Sequence, residues 1–143
     1  RPDSRVGRIR DLSFSDVTIA GDNGVLIQGM SNRNIENVSL RNITMRVDRA
    51  FDYSQRRKHV GGRTEETEDR RRTVYARQPS YCTLANIDGL TVDNLRVLIP
   101  DEVFAKHPRS ALSLHNVAES TLTNVRRKPG PSDSTTPAVS MNP

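Results

Sequence analysis

A repeated pattern of apolar residues is the feature of this sequence that most restricts its fold. Apolar residues recur at offsets 0, +3, +5, +8 and +10, with Asp or Asn at +7, in four segments: IRDLSFSDVTI from Ile9, IENVSLRNITM from Ile35, IDGLTVDNLRV from Ile87 and VAESTLTNVRR from Val117. In the last copy Ser120 and Arg127 replace two of the apolar residues. Such self-similarity is typical of stacked structural repeats, whose terminal repeat departs from the consensus.

The spacing inside each copy predicts two short strands joined by a bend. Residues two apart, at +3 and +5 and again at +8 and +10, lie on one face of a strand. The step of three between +5 and +8 interrupts that alternation, and Asp or Asn suits such a bend because both tolerate left-handed backbone angles. We therefore expect Asp16, Asn42, Asn94 and Asn124 to form a hydrogen-bonded ladder.

A further strand precedes three of the copies, at 25–27, 82–84 and 111–114, so each repeat carries three strands and three corners. The copies begin 26, 52 and 30 residues apart (35 − 9, 87 − 35 and 117 − 87), and the middle interval is one repeat enlarged by an insert. The sequence therefore predicts an all-β chain whose residues 1–127 form a right-handed parallel β-helix, a solenoid of about three and a half C-terminal coils.

Charge and composition complete this map. The insert, 46–80, contains ten Arg or Lys and six acids, while 128–143 is rich in Pro and Ser and is expected to be a disordered tail. The net charge of +5 could suit nucleic acid or an anionic polysaccharide, but solvated charge in loops, with no charged partner, is the default interpretation. No recognition-helix pattern or aromatic stacking platform accompanies the basic runs, so we expect no nucleic-acid partner. No apolar stretch is long enough for a membrane span.

The residue pattern of these repeats resembles that of the C-terminal coils of family 28 glycoside hydrolases, the polygalacturonase-like enzymes of the pectin-lyase superfold. The similar stretches are IRDLSFSDVTI, GVLIQGMSNRNIENVSLRNITM, HVGG in the insert, and IDGLTVDNLRV with HPRSALSLHNV. The resemblance covers about Arg8 to Val125 and implies inverting hydrolysis of a pectin-type polysaccharide, containing uronate or rhamnose. It also implies that the catalytic aspartates lie upstream, because none of the family's catalytic motifs matches this chain.

The candidate site residues lie in the insert. His59, Arg63, Tyr75 and Arg77 are the predicted substrate-binding residues, since Arg forms bidentate bonds with a uronate carboxylate and aromatic rings suit sugar faces. The alternative is that the insert is a mobile charged loop far from the cleft. No catalytic residue is assigned, because we expect no two acids at one strand position on adjacent coils. Cys82 is expected to be a buried, inert thiol. No metal-ligand spacing occurs, and neither a metal nor a cofactor is predicted.

Three classes of function remain open. The leading one is the C-terminal part of a pectin-degrading glycoside hydrolase, secreted or periplasmic, monomeric at full length, whose partner is the polysaccharide substrate. The second is a polysaccharide lyase, and the third is a non-catalytic β-helix such as an adhesin or tailspike segment. Acids and a His upstream would favour the first class, whereas calcium-binding acids with a Lys or Arg base would favour the second.

Overall fold

The computed structural model describes residues 7–21, 24–49, 80–106, 108–128 and 138–142. Seven strands and one short helix occur in this part of the chain: β1 (Arg10–Gly21), β2 (Val25–Gln28), β3 (Ile35–Val47), β4 (Ser80–Leu98), α1 (Asp101–Lys106), β5 (Ser110–Thr123), β6 (Arg126–Lys128) and β7 (Val139–Asn142). β-Branched residues and Leu dominate the strands, as expected for side chains that pack on a pleated surface.

All the strands belong to one parallel sheet. Its order is β1-β3-β4-β5-β7, with β2 and β6 each also paired to β4. The repeat copies pair in the alignment that their apolar offsets define, so that Leu12 lies beside Val38, Val38 beside Leu90, and Leu90 beside Ser120. The expected all-β class with parallel pairing, including strand 38–40 beside 90–92, is confirmed.

The core consists of rows of apolar side chains that lie in register across the strands. One row contains Phe14, Leu40, Val92 and Leu122, and its two central members are buried. The apolar side chains of β1 are less well buried, since Phe14 is 43% exposed and Leu12 only half-buried. Burying apolar area at about 25 cal/mol per Å² makes the central strands, β3 to β5, the main source of stability.

Three rows of residues with positive φ bend the sheet. The first is Asp11, Asn37, Gly89 and Glu119; the second is Asp16, Asn42, Asn94 and Asn124; the third is Asn86 and Asn116. Left-handed backbone costs most residues roughly 1–2 kcal/mol, and Asn, Asp and Gly are the residues that adopt it most readily. The bends therefore occur where those residue types recur in register.

Side-chain hydrogen bonds connect successive members of these rows. In the second row Asn94 Nδ2 donates to Asn42 Oδ1 at 3.0 Å, and Asn42 Nδ2 donates to Asp16 Oδ1 at 2.9 Å. The third row has the same bond, from Asn116 Nδ2 to Asn86 Oδ1 at 2.8 Å. The predicted ladder is confirmed for Asp16, Asn42 and Asn94.

Among the glycines that the structure describes, only Gly89, in the first row, has both a conformation and surroundings that require glycine. Gly89 has φ +81°, and a Cβ at this position would lie 2.8 Å from Asn37 Oδ1. Asn37 is held there because its Nδ2 donates to Asp11 Oδ1 at 3.0 Å. A side chain at residue 89 would therefore strain the backbone and displace the Asn37 amide.

The structure departs from the predicted elements in four places. Two separate strands were expected, one on either side of each second-row residue. In β1, β3 and β4 they form one continuous strand that bends at that residue. In the last copy the strand is interrupted around Asn124, since β5 ends at Thr123 and β6 begins at Arg126. The segment between β4 and β5, for which no regular element was predicted, forms the short helix α1. Part of the predicted disordered tail forms a strand instead, because β7 pairs with Leu112–His115 of β5.

Asn94 provides a test of how the bends are stabilised. We expect Asn94→Ala to lower the free energy of unfolding by about 2–3 kcal/mol, from backbone strain and lost side-chain bonds. Asn94→Gly should cost less, because Gly accepts φ of 59° without strain.

Urea denaturation of the full-length protein would measure both values. Thr44, a half-buried strand residue, is the control position, where Ala should be better tolerated than Gly. The same order of Ala and Gly at both positions would contradict the proposed role of the bend rows.

Candidate functional site

The four substrate-binding residues predicted from the sequence lie outside the described residues. His59, Arg63, Tyr75 and Arg77 belong to the insert, of which the structure describes only the ends, at 46–49 and at Ser80. The proposed role of these side chains stays a prediction. The described residues offer three other polar features: an exposed basic surface, a buried arginine and a cluster of hydroxyl groups.

A basic surface lies on the outer side of the sheet, just after the second bend row. Two rows form it: Thr18, Thr44, Arg96 and Arg126, followed by Ala20, Arg46, Leu98 and Lys128. We call the cations of these rows, Arg46, Arg96, Arg126 and Lys128, the basic face. All four are exposed, while the residues between them along each strand, such as Val97, are buried. The alternation of the strand therefore directs the four charges to solvent.

The two arginines at equivalent positions, Arg96 and Arg126, are held by the second bend row. Arg96 Nε donates to Asn94 Oδ1 at 3.3 Å, and Arg126 donates through a terminal guanidinium nitrogen to Asn124 Oδ1 at 3.4 Å. The same triplet, Asn-x-Arg, thus occurs within β4 and at the start of β6, and in both cases the guanidinium donates to the Asn side-chain oxygen. Because a guanidinium has five N–H donors, most of them remain available to another group.

Other outward rows carry charges of both signs. Arg10 and Glu36 lie in register, as do Arg41 and Asp93. Opposite charges on neighbouring strands stabilise the pairing slightly, whereas like charges oppose it. The two rows of the basic face contain four cations and no acid, so they differ from these mixed rows in charge and in what they could bind.

One row brings two acids together. Glu36 and Asp88 are register partners on β3 and β4, and Asn34 Nδ2 donates to Asp88 Oδ1 at 2.8 Å. The prediction that no two acids share a strand position is therefore wrong, since both stand at offset +1 of their copies. Neighbouring strands are about 4.8 Å apart. This spacing is between backbones, whereas inverting hydrolysis depends on carboxyl groups about 6.5–9.5 Å apart with a water between them, so a shared row does not by itself identify a catalytic pair.

Arg127 is buried, although it occupies an apolar position of the repeat. It pairs in register with Val97 and is only 7% exposed. Its guanidinium lies 4.3 Å from the centre of the Phe104 ring, and Nη1 donates to the Arg109 carbonyl oxygen at 2.8 Å. Burial lowers the pKa of Arg127, an effect that Tyr81 opposes. Arg127 therefore links β6 to α1 and to the start of β5.

Tyr81 lies near the same arginines. It is 4% exposed, and burial raises its pKa, while the positive charges of Arg109 and Arg127 act in the opposite direction. A phenol with a raised pKa stays protonated near neutral pH and can donate a hydrogen bond. The surroundings of Tyr81 fit a structural role better than that of a base.

A cluster of buried hydroxyl groups lies at the start of β4. Ser80 Oγ donates to the Cys82 carbonyl oxygen at 2.7 Å, and it lies 2.9 Å from Thr83 Oγ1 and 2.7 Å from Ser113 Oγ. These bonds run to other hydroxyls and to backbone. Activation of a serine requires a base within hydrogen-bond reach, which these contacts do not supply. The cluster satisfies buried polar atoms.

The comparisons with known proteins identify no relative. No protein-family model, curated protein or solved structure matches the chain. Within the described ranges, no group of His, Cys, Asp and Glu side chains is arranged to hold a metal ion. In the same part of the chain, no helix has the length and apolar character needed to cross a membrane.

The burial of Cys82 can be tested with a reagent that reacts with thiols. It is 1% exposed, and burial raises its pKa to about 12 from the usual 9.0. We expect no reaction with a thiol reagent at pH 8 in the folded protein, and full reaction in guanidinium, because the thiolate is the reactive form. Fast labelling of the folded protein would contradict this burial.

The raised pKa of Cys82 also makes the stability of the protein depend on pH. Between pH 9.0 and about 12 the folded protein retains a proton on Cys82 that the unfolded chain loses. The stabilisation is therefore fully present below pH 9 and decreases as the pH rises toward 12. A Cys82→Ala variant, the control, should lack this part of the pH dependence in urea denaturation.

Arg127 and Phe104 form a pair whose coupling can be measured. Arg127→Met keeps an apolar chain but loses the bond to the Arg109 carbonyl, and we expect a loss of about 2 kcal/mol in stability. A double-mutant cycle with Phe104→Leu should give a coupling energy of roughly 0.5–2 kcal/mol from the cation–π contact. Additive effects of the two substitutions would show that the ring and the guanidinium do not interact.

Proposed function

We propose that the chain forms C-terminal coils of a right-handed parallel β-helix, within a glycoside hydrolase that acts on pectin-type polysaccharide. The observation that carries the architecture is the register. β2 and β3 lie beside successive parts of β4, at 82–85 and 87–98, and β4 in turn lies beside β5 and β6. Each turn of the chain thus lies parallel to the next one, which is how a solenoid is built.

The handedness follows from a general rule. Connections between parallel strands of one sheet are right-handed in about 98% of cases, because twisted strands favour that path. The bends at positive-φ residues allow a continuous strand to turn between the faces of such a coil. A β-helix also accounts for the partial exposure of Phe14 and Leu12, since a further coil would stack on β1.

The proposed activity is supported by the resemblance of the coil phrasing to family 28 glycoside hydrolases and by the positive charge of the chain. The substrate would be a polysaccharide containing uronate or rhamnose, hydrolysed with inversion by acids upstream of this segment. His59, Arg63, Tyr75 and Arg77 would border the substrate cleft, where Arg63 and Arg77 hold a uronate carboxylate. The full-length enzyme would be secreted or periplasmic and monomeric.

The test is an assay of the full-length protein on polygalacturonate, on rhamnogalacturonan and on a neutral glucan. We expect new reducing ends on one of the two pectin-type polymers and no ultraviolet absorbance from an unsaturated uronate. Arg63→Ala and Arg77→Ala should raise KM on the uronate polymer without changing the folded structure.

Each alternative gives a different result. Absorbance from unsaturated products would identify a lyase, and binding without cleavage would identify a non-catalytic β-helix. Either result would overturn the proposed hydrolase. Wild-type KM in both arginine variants at low salt would overturn the role given to the insert.

A further inference from the structure

Three of the four cations of the basic face lie outside the insert, Arg46 is its first residue, and no function has yet been given to the face. Arg96 and Arg126 are register partners on β4 and β6, so their Cα atoms are about 4.8 Å apart. Like charges directly opposite each other on neighbouring strands destabilise the pairing. Among the described residues, no acidic side chain forms an ion pair with either arginine. The sheet thus presents two adjacent positive charges without an internal counterion.

The other two cations extend this charge in two directions. Lys128 follows Arg126 by two residues, which places it about 6.6 Å further along the same face of the strand. Arg46 lies in the row of Lys128, with Leu98 between them. The remaining members of the two rows are neutral, so the face is an array of cations with Thr18 and Thr44 at its edge.

The second bend row orients the two arginines. Asn94 and Asn124 each accept one guanidinium N–H, which limits where the rest of each side chain can lie. A guanidinium fixed in this way loses less side-chain entropy when it binds a ligand. Its remaining N–H groups match the two oxygens of a carboxylate.

We propose that the basic face binds an anionic polysaccharide of the uronate class, through cations other than Arg63 and Arg77 of the predicted cleft. A polymer with one carboxylate on each of many sugars can contact several of these cations at once, and such multivalency raises affinity. This inference rests on the proposed function for the choice of uronate. The threonine hydroxyls at the edge of the face supply partners for sugar hydroxyls.

Single-stranded nucleic acid fits the face less well. Its binding normally combines cations with aromatic side chains on which bases stack. The two rows contain Thr, Ala, Leu, Arg and Lys, and no aromatic residue. The charge array could attract phosphates, but the face has no aromatic ring on which a base could stack. A uronate polymer needs no such ring, because its carboxylates can be bound by the cations alone.

The experiment compares two double variants of the full-length protein that remove the same charge. Arg96→Gln/Arg126→Gln alters the basic face. Arg10→Gln/Arg41→Gln is the control, since Arg10 pairs with Asp11 at 3.8 Å and Arg41 lies in register with Asp93. Both are made in an Arg63→Ala/Arg77→Ala background, so that the proposed cleft contributes least. Affinity electrophoresis measures retardation by polygalacturonate, by its methyl ester and by single-stranded DNA.

We expect Arg96→Gln/Arg126→Gln to weaken polygalacturonate binding about tenfold, because two exposed charge pairs near the middle of their usual range together correspond to about one decade. The control should lose less than about threefold, and the neutral methyl ester should be retarded weakly by every variant. Equal losses in both double variants, or no loss in either, would overturn the inference.

Two further outcomes also decide against it. If the methyl ester retards the protein as much as polygalacturonate does, carboxylates are not recognised. If DNA binds more tightly than polygalacturonate and this binding depends on Arg96, the face is a nucleic-acid site. Cleavage is measured separately from binding. If the protein cleaves polygalacturonate but both double variants bind it equally well, the proposed function is kept and the binding role of the basic face is refuted.

Discussion

The fold depends on one repeated interaction, in which a residue with positive φ lies in register beside another and the two side chains are joined by a hydrogen bond. In the second bend row this occurs from Asp16 to Asn42 and from Asn42 to Asn94. If one strand bent a residue earlier than its neighbour, every side chain beyond the bend would move to the opposite face. The bends therefore have to stack before the apolar rows can form a core.

Part of this arrangement could be predicted because one residue type repeats. Asp or Asn stands at the same offset in all four copies, next to a break in the alternation of apolar residues, and this identifies the second row. The first row was missed, since it contains Asp11, Asn37, Gly89 and Glu119, and no single residue type repeats there. Three of the four can adopt positive φ readily, for different reasons: Gly has no Cβ, and Asn and Asp can form local side-chain bonds, whereas Glu119 has no such advantage.

The end of the repeat shows a different limit of sequence patterns. A pattern of apolar residues treats Arg127 as a lost core position, but its side chain has a long apolar stem beneath the charged group. The stem continues the row of Val97, and the guanidinium reaches Phe104 and the Arg109 carbonyl. Those partners come from the segment between β4 and β5, so they could not be identified before the position of α1 was known. The pairing of β7 with β5 was hidden for a related reason, because four residues in a Pro- and Ser-rich segment carry no periodic signal.

The basic face and the bends share their hydrogen bonds, and this connects the site to the fold. A chain of bonds runs from the Arg96 guanidinium to Asn94, from Asn94 to Asn42, and from Asn42 to the Asp16 carboxylate. Arginine only donates and an ionised carboxylate only accepts, so the two ends determine which way both amides point. Such chains polarise their members and strengthen each bond. The direction of the chain leaves Asn94 Oδ1 facing the arginine, and so the residues that bend the strands also position the cation that is exposed for binding.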